Sequence, residues 1–221
     1  MLSYLDVVYK EETKPITDYP LKLCSYLSDR FKMEKGDKLL DIGCGRGDFL
    51  KGFKDIGLDV FGLDIEKSKS DIVKNIKIYN CNFELNSFPL ENNSVDFIFS
   101  KSVIEHLKNP ENFIKEIYRV LKPGGTAILM TPDWQSQMKI FYDDYTHVRP
   151  YTRIGLEDFL KMSGFKNVSS EIFYQLPILW KLPWLKIFSK SLQIFGPVKR
   201  IHRNKFIRWS KELMILGHGE K

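Results

Sequence analysis

Leu39-Leu-Asp-Ile-Gly-Cys-Gly-Arg-Gly-Asp-Phe-Leu50 carries an apolar strand into three glycines at alternate positions, Gly43, Gly45 and Gly47, with a helical pattern directly behind them. Glycine permits a strand-to-helix turn with positive φ and lets a ligand lie close to the backbone. A dinucleotide turn spaced Gly-x-Gly-x-x-Gly would put its third glycine at position 48, where this chain has Asp48. Asp41, at the end of the strand, adds a carboxylate facing the same crevice. A carboxylate is a poor neighbour for a pyrophosphate and a good one for an ammonium group. The turn therefore points to a cationic, amino-acid-like ligand rather than a dinucleotide.

The next hydrophobic run, Val60-Phe-Gly-Leu63, ends in Asp64, 17 residues after Gly47. An acid at the tip of a second strand is placed to accept both hydroxyls of a ribose. Asn82-Phe83 follows the expected third strand, and Ser94-Val-Asp-Phe-Ile-Phe99 leads into Ser100-Lys-Ser-Val-Ile-Glu-His106. Arg119-Val-Leu-Lys-Pro-Gly-Gly125 marks the turn before a fifth strand. These motifs, in this order and at this spacing, resemble the class I S-adenosylmethionine-dependent methyltransferases of the small-molecule, type 11-like branch. The likeness covers residues 36–131 and continues more weakly to 173. It implies a methyl donor held by Asp41, Gly43, Cys44, Gly45, Gly47, Asp64, Ile65, Asn82, Phe83 and Lys101, released as S-adenosylhomocysteine, with no metal.

Composition sets the outer bounds. A chain of 221 residues with 43% hydrophobic and 28% charged residues fits one globular domain with a real core. Three cysteines, Cys24, Cys44 and Cys81, form no CxxC pair, so a reducing, cytoplasmic setting is expected. Residues 1–10 show no secretory pattern, and no apolar run approaches the roughly 20 residues of a membrane span. The net charge of +6 is uneven. Residues 172–221 hold ten Lys/Arg against two Glu, or +8, which leaves −2 for the rest.

Strands are expected at 38–42, 59–63, 76–80, 95–99, 126–130, 166–173 and 212–217. Helices are expected at 21–31, 47–56, 66–74, 101–107, 111–121 and 153–164. Such alternation predicts an α/β, Rossmann-like fold with a mostly parallel sheet between helices. The resemblance implies seven strands, with the last one antiparallel beside the sixth. Ligands bind such sheets at the carboxyl ends of the strands. Residues 1–35 read as a helical lead-in, 131–152 as a substrate loop leaving that edge, and 175–210 as an insertion before the last strand.

Methyl transfer to a hydroxyl benefits from a base near neutral pKa, and histidine is the usual choice. His147, beside Asp144 and Tyr142, and His106, seven residues after the fourth strand, are the candidates; His202 and His218 lie elsewhere. Tyr142, Tyr145 and Arg149 are the substrate-loop residues expected to meet the acceptor. The Asp/Asn-Pro-Pro-aromatic run of base-modifying amino methyltransferases is absent after the fourth strand, as is a cytosine-C5 nucleophilic cysteine, so nucleobase methylation is disfavoured.

Residues 172–211 contain no acid, nine Lys/Arg and eight aromatics, among them Trp180, Trp184 and Trp209. Within them Trp184, Leu185, Ile187, Phe188, Leu192 and Phe195 fall at helical spacing, with Lys186, Ser189, Lys190 and Gln193 opposite and Gly196-Pro197 as a stop. Three readings stay open: a cap or homodimer surface, peripheral contact with the inner membrane surface, and nucleic-acid binding. The positive charge also suits a nucleotide-sugar or other phosphorylated acceptor. Asp143-Asp-Tyr-Thr-His-Val-Arg-Pro-Tyr-Thr152 with Leu176-Pro-Ile-Leu-Trp180 resembles methyltransferases of surface-glycan biosynthesis, which implies O-methylation of a sugar or glycan precursor. An RNA-modifying enzyme and a membrane-associated quinone or lipid methyltransferase are the alternatives.

Overall fold

The computed structural model of the chain describes residues 15–66, 71–195 and 205–221. The expectations for residues 1–10, for the Gly196-Pro197 stop and for His202 lie outside them, as does the middle of the helix expected at 66–74. Seven strands form one sheet in the order β3-β2-β1-β4-β5-β7-β6. They are β1 (Lys38–Ile42), β2 (Asp59–Asp64), β3 (Lys77–Asn80), β4 (Val95–Lys101), β5 (Leu121–Pro132), β6 (Lys166–Phe173) and β7 (Met214–Glu220). Strands β1 to β5 pair in parallel, and β7 runs antiparallel to both β5 and β6. The Rossmann-like reading is borne out, including the antiparallel last strand.

Burial on both faces makes these strands continuous apolar runs whose residues alternate between two cores. On one face Leu40, Ile42, Ile98 and Leu129 pack with Phe113 and Ile117 of α3 (Pro110–Val120) and with Leu156 and Leu160 of α4 (Arg153–Met162). On the other, Leu39, Phe99, Ile128 and Met130 meet Leu23 and Leu27 of α1 (Tyr19–Phe31) and Leu50 and Phe53 of α2 (Asp48–Asp55).

Several boundaries differ from expectation. The helix expected at 66–74 is absent from its described part, where only a 3₁₀ turn forms at Asp71–Val73. Ile72 and Val73 are its only apolar residues, too few for a buried stripe. The helix expected at 101–107 is a 3₁₀ turn at Ile104–His106, because β4 runs on to Lys101 and Ser102 then takes a left-handed φ of 59°. The loop at 131–152 starts later, since β5 extends to Pro132, and it contains a helical turn at Trp134–Gln137 and a 3₁₀ turn at Phe141–Asp143.

The last strand begins at Met214 rather than at residue 212. Glu212 instead closes the helix before it, its amide donating to the Arg208 carbonyl at 2.9 Å. The insertion folds as α5 (Pro177–Lys181), a 3₁₀ turn, α6 (Lys186–Phe195) and α7 (Lys205–Lys211). Because β6 is parallel to β1–β5, the insertion leaves from their carboxyl edge. Among the described residues no helix is long and apolar enough to cross a membrane.

Candidate active site

The strand order reverses between β1 and β4, and a cavity of about 690 Å³ opens at the carboxyl ends beside that switch point. One wall is the glycine turn. Gly43 has φ 75°, and a Cβ there would stand 2.1 Å from Val103 Cγ2. Gly47 caps α2 at φ 89°, and a Cβ there would stand 1.9 Å from Val73 Cγ1. Only glycine lets the chain turn here while Val103 and Val73 close over it. Gly45 donates its amide to Asp64 Oδ2 at 2.7 Å, and Glu66 donates to Asp64 Oδ1 at 3.0 Å. A carboxylate has about four acceptor positions, so Asp64 can still receive hydroxyls from the cavity it lines.

The expected donor-site residues separate into two groups. Gly43, Gly45, Asp64, Ile65, Phe83 and Lys101 line the cavity. Asp41, Cys44, Gly47 and Asn82 stand behind its walls rather than among them. Asp41 is buried, its Oδ2 has no hydrogen-bond partner, and burial together with the neighbouring Asp64 holds its carboxyl well above the usual range. Expected to face the crevice, it sits on β1 beneath the turn. Cys44 packs in the core against the position of Gly62, and burial pushes its thiol far up. Asn82 turns its Oδ1 back to the Glu84 amide at 3.0 Å.

The opposite wall carries His106, His147, Asp144 and Tyr145, all lining the cavity. His147 Nδ1 lies 2.7 Å from the Phe141 carbonyl oxygen. A carbonyl only accepts, so Nδ1 bears a proton and Nε2 is the nitrogen that can take up or release another. Thr146 Oγ1 donates to Asp144 Oδ1 at 2.6 Å, which leaves it to accept from His106 Nδ1 at 2.9 Å. His106 therefore also carries its basic lone pair on Nε2. The two rings meet edge to face, with centroids 4.8 Å apart. Burial alone would raise the Asp144 carboxyl; the Thr146 hydroxyl and amide and the adjacent His147 and His106 outweigh it and hold it below the usual range.

Tyr142 and Arg149, expected on the acceptor, do not line the cavity. Tyr142 packs its ring on Trp134 and Phe141. Arg149 donates to the Lys108 carbonyl at 2.8 Å. Both tie the loop to its neighbours instead of facing the cavity.

Sequence reasoning missed Glu105. It is fully buried, accepts from Thr131 Oγ1 at 2.9 Å through Oε2, and leaves Oε1 without a partner. Its backbone carbonyl accepts from Val148 and Arg149, which ties the loop to the turn after β4. Ligand-type atoms of Glu105, His106 and His147 all lie within 4.8 Å of one another. A carboxylate inside the apolar run Val103-Ile104-Glu105 was the available signal. From the insertion Gln175, Arg208 and Trp209 also reach the cavity, as does Glu212 just beyond it.

The insertion's tryptophans divide by role. Trp209 packs on Tyr19 with ring centroids 4.9 Å apart, and Trp180 packs on Tyr26 at 4.8 Å, so its base is a cap against α1. Its tip stays exposed, with Trp184 59%, Ile187 69% and Phe188 57% accessible. Ser189, expected opposite the apolar face of α6, is instead buried, and Ile187 and Phe188 of this helix are exposed. Among the described residues, the cavity is lined by seven carboxylates and three Lys/Arg, so the basic segment does not make it basic.

The sequence matches the methyltransferase-domain family over residues 16–170. An uncharacterized protein of Methanocaldococcus jannaschii is 31% identical over 187 residues, 82% of this chain and 80% of that one. The demethylmenaquinone methyltransferase of Lactobacillus johnsonii is 29% identical over 175 residues, 63% of this chain and 72% of that one. A solved S-adenosylmethionine-dependent methyltransferase from Archaeoglobus fulgidus superposes with a TM-score of 0.66 at 20% identity, covering 99% of this chain and 100% of that one, which is a likeness of fold. Against other curated relatives the chain spans less than half of their length, 44% and 28% in two cases.

Burial is the main cause that pushes the Glu105 carboxyl up, from 4.5 to about 7, against the lowering effects of hydrogen bonds and of Lys101. Between those values the folded state holds a proton that the unfolded chain has lost. The stabilisation is complete below about pH 4.5 and is lost as pH rises to about 7. The full swing is of the order of 3 kcal/mol. Urea unfolding of wild type and Glu105→Gln across pH 4–8 should show the wild type losing stability relative to the variant over that window. A difference independent of pH would contradict the assignment.

Proposed function

The chain belongs to the methyltransferase-domain family, and on that premise we propose that it transfers a methyl group from S-adenosylmethionine to a hydroxyl oxygen of a small, sugar-like acceptor. The residues present fit the donor. The backbone of the glycine turn forms an open wall, Asp64 offers acceptor positions beside it, and the Phe83 ring lines the same cavity. Gly43, Gly45, Asp64, Ile65, Phe83 and Lys101 would hold the donor, with Asp41, Cys44, Gly47 and Asn82 supporting them from behind. When bound, it supplies a methyl group made electrophilic by the adjacent sulfonium.

What this chain's residues add is position and a proton sink. The cavity holds the acceptor hydroxyl between the glycine turn and the histidine pair, and its proton passes to Nε2 of His147 or His106. The Phe141 carbonyl keeps the His147 ring oriented, and Asp144, through Thr146, favours the cation of His106. The observation that carries this reading is the pair of Nδ1-protonated histidines facing the glycine turn across one cavity. Seven carboxylates on its walls favour a neutral hydroxylated group over a phosphate at the reacting end.

The exposed tip of the insertion favours a membrane-delivered acceptor. Trp184, Ile187 and Phe188 are flanked by exposed Lys181, Lys186 and Lys190 on the segment that leaves the cavity edge. Apolar rings enter the headgroup region while each lysine adds about 1 kcal/mol of attraction to anionic lipid. This arrangement suits a lipid-linked glycan precursor, with its sugar inside the cavity and its anionic carrier at the lysines.

Asp64→Ala should weaken S-adenosylhomocysteine binding by about 1–3 kcal/mol in calorimetry, because ribose hydroxyls lose their acceptor. Unchanged affinity would remove the residue from the donor site. His147→Ala should lower turnover by about 10²-fold or more at unchanged donor affinity; full activity would exclude His147 from the transfer step. In co-sedimentation, the full chain should bind phosphatidylglycerol vesicles, and the double variant Trp184→Ser/Phe188→Ser should not. Equal binding by both would sink the membrane reading.

A further inference from the structure

We propose that Glu105, His106 and His147 form a site for a divalent transition-metal ion of the zinc or cobalt type, open to the cavity on one side. Two imidazoles and a carboxylate are a donor set suited to such ions, and three protein ligands leave a further position for water or an acceptor oxygen. The ligand atoms all lie within 4.8 Å of one another. Bonds of about 2.0–2.2 Å would bring them to about 3.4 Å apart, so side-chain shifts of roughly 1 Å close the set.

Each ligand is already oriented from behind. His147 Nδ1 donates to the Phe141 carbonyl at 2.7 Å. His106 Nδ1 donates to Thr146 Oγ1 at 2.9 Å, and that hydroxyl donates in turn to Asp144 at 2.6 Å. Such partners on the far ring nitrogen fix the tautomer that presents Nε2, as they do around metal-bound histidines. Glu105 receives the Thr131 hydroxyl on Oε2 at 2.9 Å, and its fully buried Oε1 has no hydrogen-bond partner. A buried carboxylate oxygen without a donor is costly, and a cation between it and two histidines satisfies it. The two amides that bond the Glu105 carbonyl hold the loop carrying His147 against the turn carrying Glu105 and His106. The three ligands thus come from two segments fixed to each other before any ion arrives.

The site stands apart from the methyl-donor reading, because none of the three residues belongs to the glycine-turn wall. An ion here departs from the metal-free expectation and replaces one part of the proposed function. With it bound, the Nε2 lone pairs of His106 and His147 would serve as ligands and not as bases, and an acceptor hydroxyl completing the coordination would be made acidic by the ion and lose its proton to solvent.

The test is titration of the full chain, stripped with a chelator and dialysed, with Co²⁺ and then Zn²⁺. Co²⁺ should give visible d–d absorption at one equivalent, displaced by Zn²⁺. Glu105→Gln and His147→Ala should each weaken Co²⁺ binding at least tenfold. S-adenosylhomocysteine affinity, read separately by calorimetry, should be retained in Glu105→Gln, which also shows that this variant is folded. A wild type that binds S-adenosylhomocysteine but takes up no Co²⁺ would overturn the metal site alone. So would Co²⁺ binding of equal strength in both variants. Loss of S-adenosylhomocysteine binding with Co²⁺ uptake intact would instead count against the donor reading and leave the metal site supported.

Discussion

A buried hydrogen bond, 2.7 Å from the Gly45 amide to the Asp64 carboxylate, joins the ends of the first two strands and sets the floor of the cavity. The turn after β1 must reverse within a few residues, leave room for Val103 and Val73 against its backbone, and expose amides at the edge of the sheet. Positive φ at Gly43, Gly45 and Gly47 makes the reversal feasible, and Asp64 holds the middle of it. Asp41 lies beneath as a second buried carboxyl, raised by burial and by Asp64. The price of placing two acids there is desolvation, and the amide bonds to Asp64 offset part of it.

Everything across the cavity is positioned relative to that turn. β4 pairs with β1, so the segment after β4 emerges beside the glycines and brings Glu105 and His106 to them. The loop after β5 returns to the same place because its Val148 and Arg149 amides bond the Glu105 carbonyl. β6 is parallel to the central strands, so the cap ends on the same edge and closes the cavity with Trp209 and Gln175. Glycine wall, histidine wall and cap therefore follow from the strand order together with the two amide bonds to the Glu105 carbonyl.

Much of this was legible in the sequence, for reasons that differ by element. The strands, the glycine turn and Asp64 are specified by local patterns, because a parallel strand buried on both faces must be an apolar run and a sharp turn must have its glycines. His106 and His147 could be singled out because the chain has only four histidines, and Asp144 by its place beside His147; all three line the cavity. The failures are cases where tertiary context decides. Nothing local shows that Tyr142 and Arg149 point out of a loop whose His147 points in, since that depends on one 3₁₀ turn and on Lys108. Ser189 was misplaced for a related reason: it reads as surface until the cap packs over it. Glu105 stood inside a quoted motif, yet its role depends on Thr131 and two histidines that are distant in sequence.

The central claim is that the glycine turn and Asp64 form the site of a cationic, amino-acid-bearing nucleoside and not of a dinucleotide. Calorimetric titration of the full chain with S-adenosylmethionine and, separately, with NADH tests it most directly. The account predicts saturable binding of one S-adenosylmethionine per chain and no heat of binding from NADH. Saturable NADH binding in the absence of any S-adenosylmethionine binding would contradict it.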